Sequence, residues 1–68
     1  MTKYIQHIID IIYSRGCVKR SEIIKEVASR LGVSVNKTID STISQDLADL
    51  VRKGIVVRKA RGIYCKPS

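Results

Sequence analysis

Residues 31–54 have the sequence LGVSVNKTIDSTISQDLADLVRKG, which combines a turn signal with a long helical repeat. It opens with a Gly-Val-Ser turn and continues with apolar residues at the spacing of one helical face. That face consists of Ile39, Ile43, Leu47 and Leu50. Ser34 or Asn36 can cap the helix, and Gly54 stops it after two cations that suit the negative end of the helix dipole. The stretch predicts a tight turn followed by a helix over about residues 36–53.

The residues before this stretch predict two further helices with a short strand between them. The first helix runs from Thr2 or Lys3 to Ser14 and ends before Gly16. Its buried face is predicted to be Ile5, Ile8, Ile9 and Ile12. A short extended segment is expected over residues 17–19.

The second helix is predicted over about residues 22–31, with Ser21 as its N-cap and Gly32 as its stop. Its apolar repeat is Ile24, Val27, Ala28 and Leu31. This helix is followed directly by the turn at the start of residues 31–54.

The residues after position 54 predict a short β-hairpin. Residues 55–58 and 63–66 are rich in β-branched and alternating apolar side chains, and residues 59–62 join them, with Gly62 available for a left-handed turn position. The predicted order is α1-β1-α2-α3-β2-β3. We expect a single, mostly helical α+β domain over residues 1–68.

The charge of the chain is concentrated near its end. The whole sequence has a net charge of +7, yet residues 1–51 carry seven basic and six acidic side chains. Residues 52–68 carry six basic side chains and no acidic one. Such a patch attracts a polyanion through steering and counterion release. The alternative is a solvated, solubilising tail, which we favour less because the segment is predicted to be folded.

The order of elements and several local signals resemble the winged helix-turn-helix family. These signals are the turn at residues 31–34, the Ile43/Leu47/Leu50 spacing that continues into Lys-Gly-Ile-Val at residues 53–56, and the closing strand Arg-Gly-Ile-Tyr at residues 61–64. The resemblance covers about residues 3–66. In size and isoleucine usage, the chain looks like the small regulators of archaea and of their viruses or plasmids. It implies a transcriptional regulator that binds double-stranded DNA through its third helix and a basic wing.

The predicted third helix has an outward face suited to reading bases. A helix about 10–12 Å across fits the B-DNA major groove, which is about 12 Å wide. The base-reading candidates are Lys37, Thr38, Ser41, Ser44 and Gln45. We place Asp46 and Asp49 nearer the flanks, which leaves the outward centre without acid. The alternative is that any surface helix is polar on its outer side.

The predicted wing, residues 58–62, carries the cations Arg58, Lys59 and Arg61. By resemblance, wings lie along the DNA backbone or insert into the minor groove, where narrow A·T tracts attract arginine. Arg61 is the candidate for insertion, although the shortness of this wing favours phosphate contact. Ser34 and Asn36 are further candidates for backbone contacts. The alternative is a solvated hairpin tip.

Tyr4, Ile8 and Ile11 form a second apolar stripe on the first helix. Related winged helices often pair through this helix, so the stripe is a candidate interface for a homodimer that reads an inverted repeat. The alternative is that the hairpin or the C-terminus covers the stripe.

The two cysteines, Cys17 and Cys65, have two interpretations. The family resemblance pairs their strands, so a disulfide is possible, above all in a hyperthermophile. The interpretation that we favour is two small buried apolar residues. With one distant histidine, they do not make a zinc site. We expect no metal, cofactor, small-molecule ligand or catalytic arrangement.

No signal peptide or membrane span is predicted, so we expect a cytoplasmic protein on DNA, inside a host cell if the source is viral. Two other functions are kept open. The first is a non-specific DNA-organising protein, and the second is a winged-helix module that binds another protein. An enzyme is not expected.

Overall fold

A computed structural model describes residues 4–67 of the chain. The described residues form a mostly helical α+β fold with the predicted order of elements. The helices and strands are α1 (Ile5–Arg15), β1 (Cys17–Lys19), α2 (Arg20–Leu31), α3 (Lys37–Arg52), β2 (Val57–Ala60) and β3 (Ile63–Cys65). The predicted starts of α1 at Thr2 or Lys3 lie outside the described residues. Within residues 4–67, no helix has the length and apolar character needed to cross a membrane.

The three strands form one antiparallel sheet in the order β1-β3-β2. Two backbone hydrogen bonds extend the β1–β3 ladder: the Lys66 N–H donates to the Gly16 carbonyl, and the Arg20 N–H donates to the Gly62 carbonyl, both at 2.8 Å. β3 is therefore the central strand. It holds the hairpin against the junction between α1 and α2.

The start of β2 differs from the sequence prediction by two residues. The N–H groups of Ile55 and Val56 donate to the Leu50 carbonyl at 3.0 and 3.3 Å, so these residues close the C-terminus of α3 instead of pairing with β3. Their β-branched side chains still face inward, and Val56 is buried. Local β propensity was overridden by the need to satisfy the last helical carbonyls.

The core is built mainly from isoleucine and leucine of the three helices. On α3, Ile39, Ile43, Leu47 and Leu50 are buried as predicted. Asp46 joins them with only 3% of its surface exposed, so its predicted place on the flank is wrong. Its carboxylate accepts a hydrogen bond from the Tyr4 N–H at 3.1 Å, which satisfies a backbone donor at the start of α1.

The buried face of α1 is rotated from the predicted one. Ile8, Ile11 and Ile12 are buried, whereas Ile5 and Ile9 are only partly buried. Because α1 packs against both α2 and α3, its buried arc is centred between those helices and extends to Ile11.

This rotation corrects the dimer interface expected on α1. Ile8 and Ile11 are 0% and 2% exposed, and Tyr4 is partly buried against the same core. The three residues pack inside one chain, so they do not form an apolar stripe on its surface. Whether the protein pairs with a second copy stays a prediction.

The ends of α2 differ from expectation at both sides. α2 begins at Arg20, before Ser21, and its cap is Lys19 without a side-chain hydrogen bond. The Arg20 N–H, one of the donors that the start of a helix leaves without an intrahelical partner, is satisfied by the Gly62 carbonyl. At the other end Gly32 has φ of +69° and stops the helix as predicted, which leaves Leu31 41% exposed.

Cys17 and Cys65 form a disulfide. They lie directly opposite each other in the β1–β3 register, and their side chains are therefore on the same side of the sheet. Cys65 is buried and Cys17 is exposed. The interpretation that we favoured from the sequence, two unbridged buried cysteines, is wrong.

Candidate functional site

The N-terminal half of α3 presents a polar side to solvent. We define the polar face as Lys37, Thr38, Ser41 and Gln45, all of which are exposed. They lie opposite the buried isoleucines and leucines of the same helix. The face therefore offers hydroxyl and amide groups, with one cation at its N-terminal end.

The start of α3 is fixed by Asn36. Its side-chain oxygen accepts a hydrogen bond from the Ile39 N–H at 2.9 Å, so Asn36 is the N-cap and Ser34 is not. Both residues are exposed beside the polar face. The amide oxygen of Asn36 is used by the helix, while the Ser34 side chain lies in the turn.

Ser44 differs from the other four residues predicted to read bases. It is half-buried, and its hydroxyl oxygen accepts hydrogen bonds from Nε and Nη2 of Arg20 at 3.1 and 2.6 Å. Its own hydroxyl donates toward the Asp40 carboxylate at 3.5 Å. Ser44 is thus engaged inside the protein.

Arg20, Asp40 and Ser44 form a cluster that the sequence did not reveal. Nη2 of Arg20 donates to the Asp40 carboxylate, and both charged side chains are partly exposed. We call these three residues the arginine cluster. Asp40 is half-buried beside the polar face, so an acidic side chain borders the outward centre of α3 without lying in it.

The arginine cluster lines one open groove of about 640 Å³ together with Ser41 and Gln45 of the polar face. The groove is lined by Arg20, Asp40, Ser41, Thr42, Ser44, Gln45 and Ala48. Within it, the positive charge of Arg20 is offset by Asp40. The groove therefore combines hydrogen-bonding groups with little net charge.

The second charged feature is the basic hairpin, defined as β2, the turn at residues 61–62 and β3. Arg58, Lys59 and Arg61 are all exposed on it. The pairing is irregular between Arg58 and Ala60, which leaves Lys59 as an extra residue in β2. Gly62 has φ of +76°, the left-handed conformation that the turn requires.

The cations of the basic hairpin are not neutralised within the described part of the chain. For residues 4–67, every ion pair within 4.0 Å involves other side chains, such as Arg15 with Glu26 and Arg52 with Asp49. Of the six cations in residues 52–68, Arg58, Lys59 and Arg61 lie together on the hairpin, and Lys53 and Lys66 flank it, all exposed. Arg52 contributes less to the positive field, because Asp49 lies 2.6 Å from it.

Arg20 connects the groove and the basic hairpin. Its backbone N–H donates to the Gly62 carbonyl in the hairpin turn, while its side chain lies in the groove along α3. The fold thus brings together residues that are far apart in the sequence. The predicted residues of helix and hairpin are joined through one that was not predicted.

A smaller cavity of about 390 Å³ lies at the disulfide, lined by Arg15, Gly16, Cys17, Lys59, Cys65 and Lys66. Within residues 4–67, no group of three or more histidine, cysteine or carboxylate side chains is arranged to hold a metal ion.

We found no protein-family model, curated protein or solved structure that matches this chain.

Proposed function

We propose that this protein is a winged helix-turn-helix domain that binds double-stranded DNA at specific sequences and regulates transcription. In this proposal α3 is the recognition helix in the major groove, and the basic hairpin is the wing. The order of elements and the β1-β3-β2 sheet are compatible with that architecture.

One observation carries the proposal: Arg20 joins the polar face of α3 to a hairpin whose cations lack acidic partners within residues 4–67. Proteins that recognise DNA separate these tasks, since phosphate contacts give affinity and base-edge contacts give specificity. A purely electrostatic binder would carry Lys and Arg along the helix as well. Here Thr38, Ser41 and Gln45 occupy those positions.

Each part of the surface has its own task in this proposal. Gln45 pairs with adenine through two hydrogen bonds, and Lys37 reaches guanine or a phosphate. Arg58, Lys59 and Arg61 contact phosphates, with Arg61 nearest to the minor groove at the hairpin turn. The Ser34 hydroxyl, near the start of α3, contacts the DNA backbone.

The size of the domain suits one turn of DNA. Its longest dimension is 32 Å, close to the 34 Å or so that separates successive major grooves on one side of the duplex. One copy therefore covers one major groove and the adjoining backbone. Regulation follows from occupancy, either by blocking polymerase or by recruiting it.

Selection of bound fragments from random duplex DNA tests this function. We expect enrichment of a short motif, with much weaker binding to unrelated duplexes. Tight binding without enrichment would favour a DNA-organising protein. An inverted repeat among the selected fragments, with half-sites about one helical turn apart, would show that two copies bind together.

A second candidate function is a protein-interaction module. Leu31, Val33 and Val35 are 41%, 48% and 51% exposed around the turn between α2 and α3, and exposed apolar groups of this kind occur at protein interfaces. Absence of any shift of duplex DNA at low salt would favour this alternative.

A further inference from the structure

The position of Arg20 sets it between the two surfaces assigned to DNA. It is the first residue of α2, and its N–H is bound to the carbonyl of Gly62 in the hairpin turn at 2.8 Å. Its side chain crosses to α3 and lines the groove together with Ser41 and Gln45. Any duplex that occupies this groove lies against the guanidinium.

The guanidinium is held on one side and open on the other. Nε and Nη2 donate to Ser44, and Nη2 also donates to Asp40. For Nη1, no acceptor lies within hydrogen-bonding distance in residues 4–67. Because the guanidinium is planar, fixing two of its nitrogens also fixes the direction of the third.

The Arg20–Asp40 ion pair is better suited to a base than to a phosphate. Asp40 offsets the positive charge of Arg20, so the pair attracts phosphates less than the unpaired cations of the hairpin do. The N–H groups of Nη1 keep their donor character. These N–H groups are therefore suited to a neutral acceptor at a defined position.

Among the bases, guanine has the matching edge. In the major groove it presents two acceptors, O6 and N7, whereas adenine presents N7 beside an amino donor that would oppose an N–H group. We propose that Arg20 is a specificity-determining residue that donates to guanine, and that Asp40 and Ser44 are the positioning residues that orient it. This inference rests on the proposed DNA-binding function.

The test uses the selected duplex with 7-deazaguanine replacing each guanine in turn, which removes only the N7 acceptor. We expect the wild-type protein to bind about tenfold more weakly at one guanine, the size of a hydrogen bond to a charged donor. Arg20→Lys keeps the charge but not the fixed plane. It should bind the selected duplex about tenfold more weakly than the wild-type protein does, with no additional weakening by 7-deazaguanine.

The chain provides a matched control in Arg52, which also pairs with an aspartate of α3 but lies outside the groove lining. Arg52→Lys should keep the full sensitivity to 7-deazaguanine. Thermal unfolding of each variant separates a destabilised fold from a weakened interaction with DNA.

Asp40→Asn provides a second route that keeps the arginine. Removing the carboxylate frees the guanidinium and its charge, so discrimination between guanine and 7-deazaguanine should fall. Binding to random duplex should rise, with the salt slope steeper by up to about 0.9. Asp49→Asn is the matched control for the added charge and should preserve discrimination. If the arginine cluster only held α2 against α3, Asp40→Asn would change the free energy of unfolding and leave discrimination between the two bases unchanged.

The outcomes distinguish this inference from the function on which it rests. If the wild-type protein selects no sequence, both fail. If it selects a site but no guanine in that site depends on Arg20, the DNA-binding function stands and this inference is overturned. Equal weakening by Arg20→Lys on selected and random duplexes would also overturn it.

Discussion

Gln45 is the residue of the polar face whose chemistry matches a single base. Its amide can donate to and accept from adenine at the same time, which Ser41 and Thr38 cannot do with equal selectivity. We expect Gln45→Ala to weaken binding to the selected duplex by about 1–3 kcal/mol and to leave binding to random duplex unchanged. Titrations of both duplexes by fluorescence anisotropy measure the difference.

The control for this variant is Gln6→Ala, the same substitution at an exposed position of α1. It should change neither affinity. Equal weakening by Gln45→Ala on the two duplexes would show that Gln45 contacts the backbone and does not read a base.

Asn36 acts on the stability of α3 through its cap. Its side chain satisfies the Ile39 N–H, one of the donors that a helix start leaves without an intrahelical partner. We expect Asn36→Ala to lower the free energy of unfolding by about 1 kcal/mol, as measured by urea denaturation. Ser34→Ala should have almost no effect, and a comparable decrease there would mean that the cap is assigned to the wrong residue.

The basic hairpin acts as an element through its charge. Lys59 and Arg61 lie at its bulge and its turn, and neither has an acidic partner within residues 4–67. Lys59→Ala combined with Arg61→Ala should weaken binding to all duplexes. It should also reduce the slope of log K against log salt by about 1–2, because each phosphate that a cation neutralises contributes about 0.9 to that slope.

Lys25→Ala combined with Arg30→Ala removes the same formal charge from α2, at residues that neither line the groove nor belong to the hairpin. Arg30 lies 3.9 Å from Asp10. This double variant should keep the slope of the wild-type protein. If the slope fell equally in the two double variants, the effect would come from the net charge of the protein and not from contacts made by the hairpin.

Elements defined by local spacing could be predicted from the sequence. The core face of α3 follows from Ile39, Ile43, Leu47 and Leu50 alone, because helical periodicity needs no knowledge of the rest of the chain. The start of β2 could not be predicted in this way. Ile55 and Val56 have the side chains of a strand, but their N–H groups are bound to a helical carbonyl.

The candidate site was predictable only where it lies on one element. The polar face and the cations of the hairpin follow from periodicity and charge counts. The arginine cluster depends on tertiary contact, since Arg20 lies 20 residues before Asp40 and 24 before Ser44. Likewise, the burial of Ile11 depends on where α2 and α3 pack around α1.

We expect the disulfide to contribute much of the stability of the whole molecule. A chain of 68 residues buries a small core, and the link between Cys17 and Cys65 spans 48 positions. From the loop-closure entropy of a link this long, we expect reduction to lower the free energy of unfolding by about 4 kcal/mol. Urea denaturation with and without a thiol reductant measures this change.

The double variant Cys17→Ser with Cys65→Ser should unfold at the same urea concentration with and without reductant. It should match the reduced wild-type protein within the small cost of the substitutions. Identical midpoints for oxidised and reduced wild type would contradict a stabilising role for the disulfide.

The disulfide also has a topological consequence. It closes residues 17–65 into a covalent ring that contains β1, α2, α3, β2 and β3, and leaves α1 outside the ring. A protease that cuts once among the exposed residues 33–36 opens this ring without releasing a fragment. The nicked molecule keeps its full mass on a gel until a reductant separates it into two pieces.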